Sequence, residues 1–507
     1  AVDKTAYTNC FVTGYYAKGD GAGGLYWYDP SDTTTADDGG GVIVATDLGR
    51  WKLAHNGVVR LSQYGLKDGD TDNLNHSRLQ KCLDYVENIN VQFGNSSCYI
   101  LVDGRYDIVP SSASTITISG NTKVCGFFTQ AMTSWVRSNF DTIPSTITLG
   151  DNVLFNIYGS VEGVFFKSYD YNDMPTIIIG RDTGGVGVKE YVVMFSNCGF
   201  LNQYTTASNY LIKSGDNASM DYAFNDCVFV GLYAINHTSE RDFKFNNCIF
   251  YSGDASPSSN MLIAVTVNNS RTSGQSEFIG CEFNGVDRVL ACTTSAAFNV
   301  VFDNCYILQG DTAGSSSIVF NSVSGRLVFK NSNLVPYSTN PSIYITNGSY
   351  VIKDNNLTGD IYLAAGADYG IVSGNTTQTI AGDAAAMVKC TVSQPLATSS
   401  PIAWTPVLKH AGTERVTNYT TQVGKYTVSG NMVTAICNIT VNTIAGGAAG
   451  DAATITGLPF ASAAGITGGG YCHYLANLTT INAALTAGIA ASSTTATLYH
   501  GNGAGTG

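Results

Sequence analysis

Four acidic residues between positions 221 and 277 are the side chains best suited to acid and base chemistry. Hydrolysis of a glycosidic bond requires one carboxylic acid to protonate the leaving oxygen and a second carboxylate to activate water or to attack the sugar. Acidic residues are sparse, at 38 in 507 residues, so a bunched set is informative. We expect Asp242 to act as the general acid, Glu277 or Asp221 as the base through a water molecule, and Glu240 as an orienting acceptor or alternative partner.

A six-residue phrase that recurs between residues 195 and 376 predicts how these side chains are placed. Two copies are Phe224-Asn-Asp-Cys-Val-Phe229 and Phe245-Asn-Asn-Cys-Ile-Phe250, and successive copies begin 19 to 33 residues apart. Such a period indicates stacked units that bury their apolar faces on one another. Phe, Cys and Phe at offsets 0, 3 and 5 are expected to point inward, and Asn, Asp or Gly at offset 2 to form a left-handed turn. The predicted fold is all-β, built on a right-handed parallel β-helix, with earlier copies of the phrase at Thr122 and Val161.

The β-helix register sorts the polar residues by face. Side chains alternate along a strand, so residues one and three positions before the first Phe point outward. These outward positions hold Asp221, Asp242, Gln275, Asn299 and Arg326 in one column, and Lys244 and Glu277 in the next. Several carboxylates then lie within roughly 5 to 10 Å of one another. We expect Lys244, Gln275, Asn299 and Arg326 to bind substrate. The alternative is a solvated ladder of cross-strand salt bridges.

A second candidate set is Glu282, Asp287 and Arg288, which follow the fourth copy of the phrase. We expect these residues in a loop, where functional side chains tend to gather. They are predicted to bind substrate.

A third candidate set is Tyr169, Asp170 and Tyr171. The two tyrosine rings offer stacking surfaces for sugars, and the carboxylate accepts hydrogen bonds from hydroxyl groups, so we expect binding rather than catalysis. Trp135 and Arg137 are possible further members of a saccharide groove.

Segments outside the repeat predict additional modules. Residues 72–87 are expected to form a helix that caps the β-helix, with Asp72 or Asn73 as its N-cap and an apolar face at i, i+3, i+4 and i+7. We divide the chain into an N-terminal neck module at 1–56, the β-helix at 57–380, a linker at 381–403 and a small C-terminal β-sandwich at 404–507.

Composition and motifs exclude several function classes. A formal charge of −12 opposes binding to a phosphate backbone. No apolar run is long enough for a membrane span. The sequence holds no GxSxG, HExxH or P-loop motif, and its 13 cysteines form no CxxC pair. We therefore expect no metal and no cofactor.

Two motifs carry a resemblance to a known family. The stretch from Gly57 to Asp72, together with Leu101-Val-Asp-Gly-Arg-Tyr-Asp-Ile108, resembles the entry of pectate-lyase-like β-helices in bacteriophage tailspikes. The segment from Gly14 to Trp27 is similar to the neck module of the same proteins. This resemblance implies a homotrimeric virion spike that attaches to the phage tail or baseplate, is assembled in the host cytoplasm and acts outside the cell. It also implies that the spike binds, and usually cleaves, a bacterial capsule or O-antigen. The C-terminal part resembles phage fibre domains that trimerise or bind glycans.

Three activities remain open at this stage. We favour a hydrolase of the inverting type, because residues on a stiff β face leave space for a water molecule between two carboxylates. A polysaccharide lyase would use Lys244 or a tyrosine as base, with carboxylates or a metal neutralising a uronate. A spike that holds a glycan without cleaving it would use the carboxylates as hydrogen-bond acceptors only.

Overall fold

The computed structural model separates into two compact units, residues 1–386 and 387–507. The structure describes residues 6–69, 74–94, 97–129, 143–150, 153–168, 177–179, 192–202, 210–214, 221–238, 242–251, 261–268, 274–294, 297–310, 316–336, 341–376, 379–393, 402–410, 413–414, 416–429, 432–444, 453–458, 468–471 and 485–500.

The first unit opens with a four-stranded antiparallel sheet. The four strands are Asn9–Val12, Gly24–Asp29, Val42–Val44 and Arg50–Leu53. A short 3₁₀ turn at Leu61–Tyr64 and a helix, α1, at Asn75–Phe93 follow this sheet. The predicted apolar face of α1, consisting of Leu79, Cys82, Leu83 and Val86, is buried. The helix ends six residues later than predicted, and the expected N-cap residues lie outside the described part of the chain.

Three rows of parallel strands then wind into coils. The chain passes from the first row through a corner to the second, then to the third, and returns one coil further on. The first row contains Val58–Arg60, Tyr99–Leu101, Lys123–Cys125, Ser160–Glu162, Val193–Ser196, Tyr222–Asn225, Phe243–Asn246, Ser276–Ile279 and Asn299–Asp303. The second contains Arg105–Ile108, Thr146–Leu149, Phe165–Ser168, Gly199–Asn202, Val228–Val230, Ile249–Tyr251, Glu282–Asn284, Tyr306–Leu308, Asn333–Val335 and Asn356–Leu357. The third contains Ser114–Ile118, Val153–Ile157, Ile177–Ile179, Ile212–Ser214, Tyr233–His237, Met261–Val267, Val286–Thr294 and Ile380–Gly382. Long strands at Ile318–Lys330, Ile343–Lys353 and Ile361–Ser373 run through both the third and the first rows.

The corner between the first and second rows is built as the phrase predicts. Asn and Asp at offset 2, for example Asn247 and Asn304, have φ between 51° and 56°, and Gly163, Gly280 and Gly374 have φ between 63° and 67°. These are left-handed conformations, which Asn, Asp and Gly adopt at the least cost.

The interior is a pair of phenylalanine ladders. Phe224 and Phe278 stack on either side of Phe245, each with ring centroids 5.0 Å away. A parallel ladder in the second row stacks Phe229 on Phe250 at 4.5 Å. Cysteines at offset 3 are buried beside these rings and donate to main-chain carbonyls, as Cys248 Sγ does to Phe224 at 3.3 Å. The predicted all-β fold with a right-handed parallel β-helix is confirmed.

The first predicted copy of the phrase has the wrong register. Val124, not Thr122, pairs with Val161, which in turn pairs with Phe195. Val124 is the inward residue of this coil, so Cys125 lies at offset 1 and not at offset 3 of the phrase.

Regular structure continues into the predicted linker. Ile380–Gly382 pairs in parallel with the strand that begins at Ile361, and a short helix, α2, follows at Ala384–Met387. The segment predicted as a linker, 381–403, therefore begins with regular secondary structure.

The second unit contains two antiparallel sheets. After a strand at Cys390–Ser393, a three-stranded sheet holds Ile402–Trp404, Val416–Ser429 and Met432–Ile444. A six-stranded sheet holds Val407–His410, Thr413–Glu414, Ala453–Thr456, Gly468–Tyr471, Leu485–Ile489 and Ala496–His500. Within the described residues, no helix is both long and apolar enough to span a membrane.

Candidate functional site

The outward side of the first row presents the predicted polar residues. Phe243 and Phe245 are fully buried, whereas Lys244 between them is exposed. The same alternation leaves Glu277 half-buried on the outside and its neighbours Ser276 and Phe278 inside. The side chains that the sequence placed outward do point outward.

Five polar residues form one column on successive coils, which we call the polar column: Asp221, Asp242, Gln275, Asn299 and Arg326. The pairing of Tyr222 with Phe243 brings Asp221 beside Asp242. Further along, Lys244 pairs with Glu277, Ser276 with Val300, and Asn299 with Arg326. The register therefore carries the column through five coils without a break.

Direct contacts link the members of the column. The Asp242 main-chain N–H donates to Asp221 Oδ1 at 3.2 Å. Asn299 Nδ2 donates to the Gly274 carbonyl at 2.7 Å. These bonds hold side chains of adjacent coils against the outer face.

Glu277 occupies the neighbouring column and has two partners. Lys244 Nζ lies 3.3 Å from Glu277 Oε2, and Gln275 Nε2 donates to Glu277 Oε1 at 2.9 Å. The Lys244 side chain is 52% exposed and that of Glu277 is 21% exposed. An ion pair this open to solvent contributes at most about 1 kcal/mol to stability. The Glu277 carboxylate is oriented by its neighbours without being removed from solvent.

Strand geometry determines how far apart the backbone positions of the acidic residues lie. Asp221 and Asp242 stand one strand spacing apart, about 4.8 Å. Asp242 and Glu277 are one coil and two residues apart, which places their backbones about 8 Å from each other. Inverting glycosidases hold their two carboxyl groups about 6.5 to 9.5 Å apart to admit a water molecule. The backbone positions of Asp242 and Glu277 are about this far apart.

The second predicted set does not come together. Glu282 lies in the second row, and Asp287 and Arg288 lie in the third. The turn between these rows is centred on Gly285, which has φ 68°. Asp287 is buried, with only 2% of its surface exposed. The expectation of a shared loop is wrong, because one glycine turns the chain where a longer connection was anticipated.

Other predicted residues lie outside the described part of the chain. They are Glu240, Tyr169, Asp170, Tyr171, Trp135 and Arg137.

Sequence reasoning missed an aromatic cluster on the third row. The rings of Tyr210 and Tyr233 have centroids 5.2 Å apart, and the Tyr210 hydroxyl is hydrogen-bonded to Thr266 Oγ1. Burial raises the pKa of Tyr210, and the Arg288 guanidinium acts in the opposite direction. No local signal predicts this cluster, because these residues follow the phrase at variable distances.

His237, Tyr222 and Ser214 form a buried group of side chains that are able to transfer protons but that a substrate cannot reach. His237 Nδ1 lies 2.7 Å from the Tyr222 hydroxyl and 3.5 Å from Ser214 Oγ. Ser214 and His237 are 0% exposed and Tyr222 is 1% exposed. A polymer outside the coils cannot reach these groups, so their role is to satisfy polar atoms in the interior. In the described ranges, no group of three or more His, Cys, Asp or Glu is arranged to hold a metal ion.

The N-terminal sheet matches a known family. Residues 2–56 fit the family model described as a phage tail protein small four-stranded β-sheet domain, and all four strands of the first sheet lie in this range. Residues 2–56 are therefore similar to a phage tail domain. The resemblance to phage tail proteins seen in the sequence is confirmed here, and the matched residues precede the parallel β-helix.

Similar solved structures are tailspikes. The Acinetobacter phage vB_ApiP_P1 tailspike is 12% identical, with 97% of this chain and 94% of that chain covered and a TM-score of 0.48. The enzymatically active domain of bacteriophage CBA120 tailspike protein 4 is 15% identical, with 97% and 72% covered and a TM-score of 0.49. Tailspike gp49 of Acinetobacter baumannii bacteriophage Fri1, a capsular polysaccharide depolymerase, is 16% identical, with 97% and 94% covered and a TM-score of 0.42.

Proposed function

We propose that the chain is a phage tailspike depolymerase that binds and hydrolyses a bacterial surface polysaccharide, either capsule or O-antigen. The observation that carries this proposal is the set of outward carboxylates on the first row, in a chain that begins with a phage tail domain. The capsular polysaccharide depolymerase activity of the similar gp49 tailspike supports the same reading.

Each residue of the site has a role in the proposed reaction. Asp242 protonates the oxygen of the leaving sugar, and Glu277 takes a proton from the attacking water. Asp221, whose carboxylate accepts from the Asp242 main chain at 3.2 Å, is the alternative base. Lys244 and Gln275 orient Glu277 through the contacts described above. Glu240 completes the set as an orienting acceptor.

The proposed assembly is the one that the resemblance to phage tailspikes implies. The phage tail domain attaches the spike to the tail or baseplate, three copies associate, and the β-helix meets the polysaccharide outside the host cell. The C-terminal unit contributes trimerisation or glycan binding.

The products of the reaction test this proposal. The protein is incubated with purified capsule and lipopolysaccharide from a panel of host strains. New reducing ends support the hydrolase, absorbance of an unsaturated uronate identifies a lyase, and retention of the polymer without shortening identifies a non-catalytic spike. The double variant Asp242→Asn/Glu277→Gln, purified in parallel, controls for contaminating glycosidases.

A further inference from the structure

Arg326 is the cation of the polar column, and the register continues from it to Ser349 on the next coil. The column starts with the carboxylates Asp221 and Asp242, continues with the amides of Gln275 and Asn299, and reaches a guanidinium three coils beyond Asp242. Three strand spacings amount to about 14 Å. Along one straight line, the column therefore presents carboxylates that accept hydrogen bonds, then amides that both donate and accept them, and then a cation.

The neighbouring column changes character over the same coils. Beyond Glu277 it continues with Val301, Val328 and Val351. Beside Asn299 and Arg326, the neighbouring column therefore presents valine side chains in place of carboxylates.

Within the part of the chain that the structure describes, Arg326 has no carboxylate partner, unlike Lys330 and Lys353 on the same row. Lys330 lies 2.9 Å from Asp303, and Lys353 lies 3.2 Å from Asp354. Arg326 is exposed, and among the described residues it forms no ion pair and no side-chain hydrogen bond. Its five N–H donors are available to a ligand.

We infer that Arg326 binds the carboxylate of an acidic sugar, and that the polymer lies along the polar column with this sugar a few units from the bond that is cleaved. This inference rests on the proposed function. A guanidinium matches a carboxylate with two parallel hydrogen bonds, which gives this contact both strength and orientation.

The charge of the chain makes such a cation necessary. With a formal charge of −12, the protein repels a polyanion as a whole. An acidic polysaccharide approaching Asp221 and Asp242 therefore needs local positive charge to hold it in place. Gln275 and Asn299, which lie between the carboxylates and Arg326, have amide groups suited to sugar hydroxyls.

The test compares two forms of one polymer. The polysaccharide cleaved by the parent protein is used in its native form and after carbodiimide activation and borohydride reduction, which convert its carboxylates to primary alcohols. Initial rates give KM and kcat for the parent, Arg326→Gln and Arg326→Lys. Lys353→Gln removes one positive charge from the same row and is the matched control.

Arg326→Gln is expected to raise KM for the native polymer about tenfold or more, with kcat unchanged, because a contact made equally in ground and transition states affects binding alone. On the reduced polymer, the variant and the parent should have the same KM. Arg326→Lys should recover part of the lost affinity, because lysine keeps the positive charge but cannot donate the two parallel hydrogen bonds of a guanidinium. Lys353→Gln should match the parent on both polymers.

Several results would overturn the inference. They are an unchanged KM in Arg326→Gln, an equal increase on both polymers, or efficient cleavage by the parent of a polymer with no acidic sugar. A fall in trimer stability without a charge-dependent change in KM would assign Arg326 to subunit contacts instead. If the parent cleaves nothing, the proposed hydrolase fails, and equilibrium binding of a polysaccharide that the parent retains, in its native and carboxyl-reduced forms, still decides whether Arg326 recognises a carboxylate.

Discussion

Substitution Glu277→Gln separates the two interpretations of the outward carboxylates. It removes the charge and the basic oxygen while keeping the size of the side chain. In the first interpretation Glu277 is a base in hydrolysis, and in the second it is one half of an exposed salt bridge with Lys244. The two interpretations predict losses of very different size.

If Glu277 is only one half of a salt bridge with Lys244, Glu277→Gln should cause the smaller loss of activity. With the Lys244 and Glu277 side chains 52% and 21% exposed, loss of the ion pair costs up to about 1 kcal/mol. A change of that size alters a rate less than about sixfold, since about 1.4 kcal/mol corresponds to a factor of ten. Loss of a general acid or base lowers the rate by about 10² to 10⁴. A loss of about a thousandfold in kcat therefore lies well outside what the salt bridge can produce.

The assay is release of reducing ends from the susceptible polysaccharide, with each variant first shown to be a folded oligomer. Asp303→Asn is the matched control, because it breaks an ion pair on the same row, Asp303 with Lys330 at 2.9 Å, with similar exposure. We expect its rate to stay within a few-fold of the parent. Full activity in Glu277→Gln, Asp242→Asn and Asp221→Asn alike would refute the site that the register defines.

Three further predictions concern the fold. Asn304→Val should lower the apparent melting temperature, because a left-handed φ of 54° costs a β-branched residue about 1 to 2 kcal/mol, whereas Asn304→Gly should come close to the parent. Phe245→Ala should lower the free energy of unfolding by about 3 to 5 kcal/mol, because it leaves a fully buried cavity between two stacked rings. Denaturant titration measures this change. A loss under about 1 kcal/mol would contradict the stacked arrangement of the phenylalanine rings. Hydrogen bonds from the main-chain N–H groups of Ala17, Ala22 and Tyr16 lower the pKa of Asp20 to about 2. The Asp20 carboxylate contributes its full stabilisation of this loop at pH values above about 3.9, which is its pKa in the unfolded chain. This stabilisation is lost as the pH falls through about 2. Pepsin cleavage near Asp20 should therefore be slower in the parent than in Asp20→Ala at pH 4.5, and the difference should vanish below pH 2. A difference that persists there would be evidence against the assignment.

The coils could be predicted because their rules are local. A left-handed residue two positions after an inward Phe, as at Asn247, follows from the small set of residue types that tolerate positive φ. Alternation along a strand then determines that Lys244 faces outward. Neither step requires knowledge of distant residues, so the columns of the candidate site follow from the sequence.

Features that depend on the connections could not be predicted. Gly285 turns the chain alone, so Glu282 and Asp287 fall on different rows although they are five residues apart. Tyr210 meets Thr266 across 56 residues of sequence. Such contacts depend on how long each connection is and where it returns, and the phrase carries no information about either.

The phenylalanine ladder has a consequence for how the chain tolerates changes in length. Phe224 and Phe245 are separated by 21 residues, and Phe245 and Phe278 by 33, yet both pairs of rings stack at 5.0 Å. Two of the additional twelve residues lengthen the third-row strand, from five residues at Tyr233–His237 to seven at Met261–Val267. The others fall in the connections, where each doubling of loop length costs only about 0.6 kcal/mol. Insertions and deletions between coils therefore leave the spacing of the outward columns unchanged. The β-helix is modular in this sense. Its connections can be exchanged between variants, which changes the residues that border the polar column. The stacked side chains beneath the connections keep the same spacing from coil to coil.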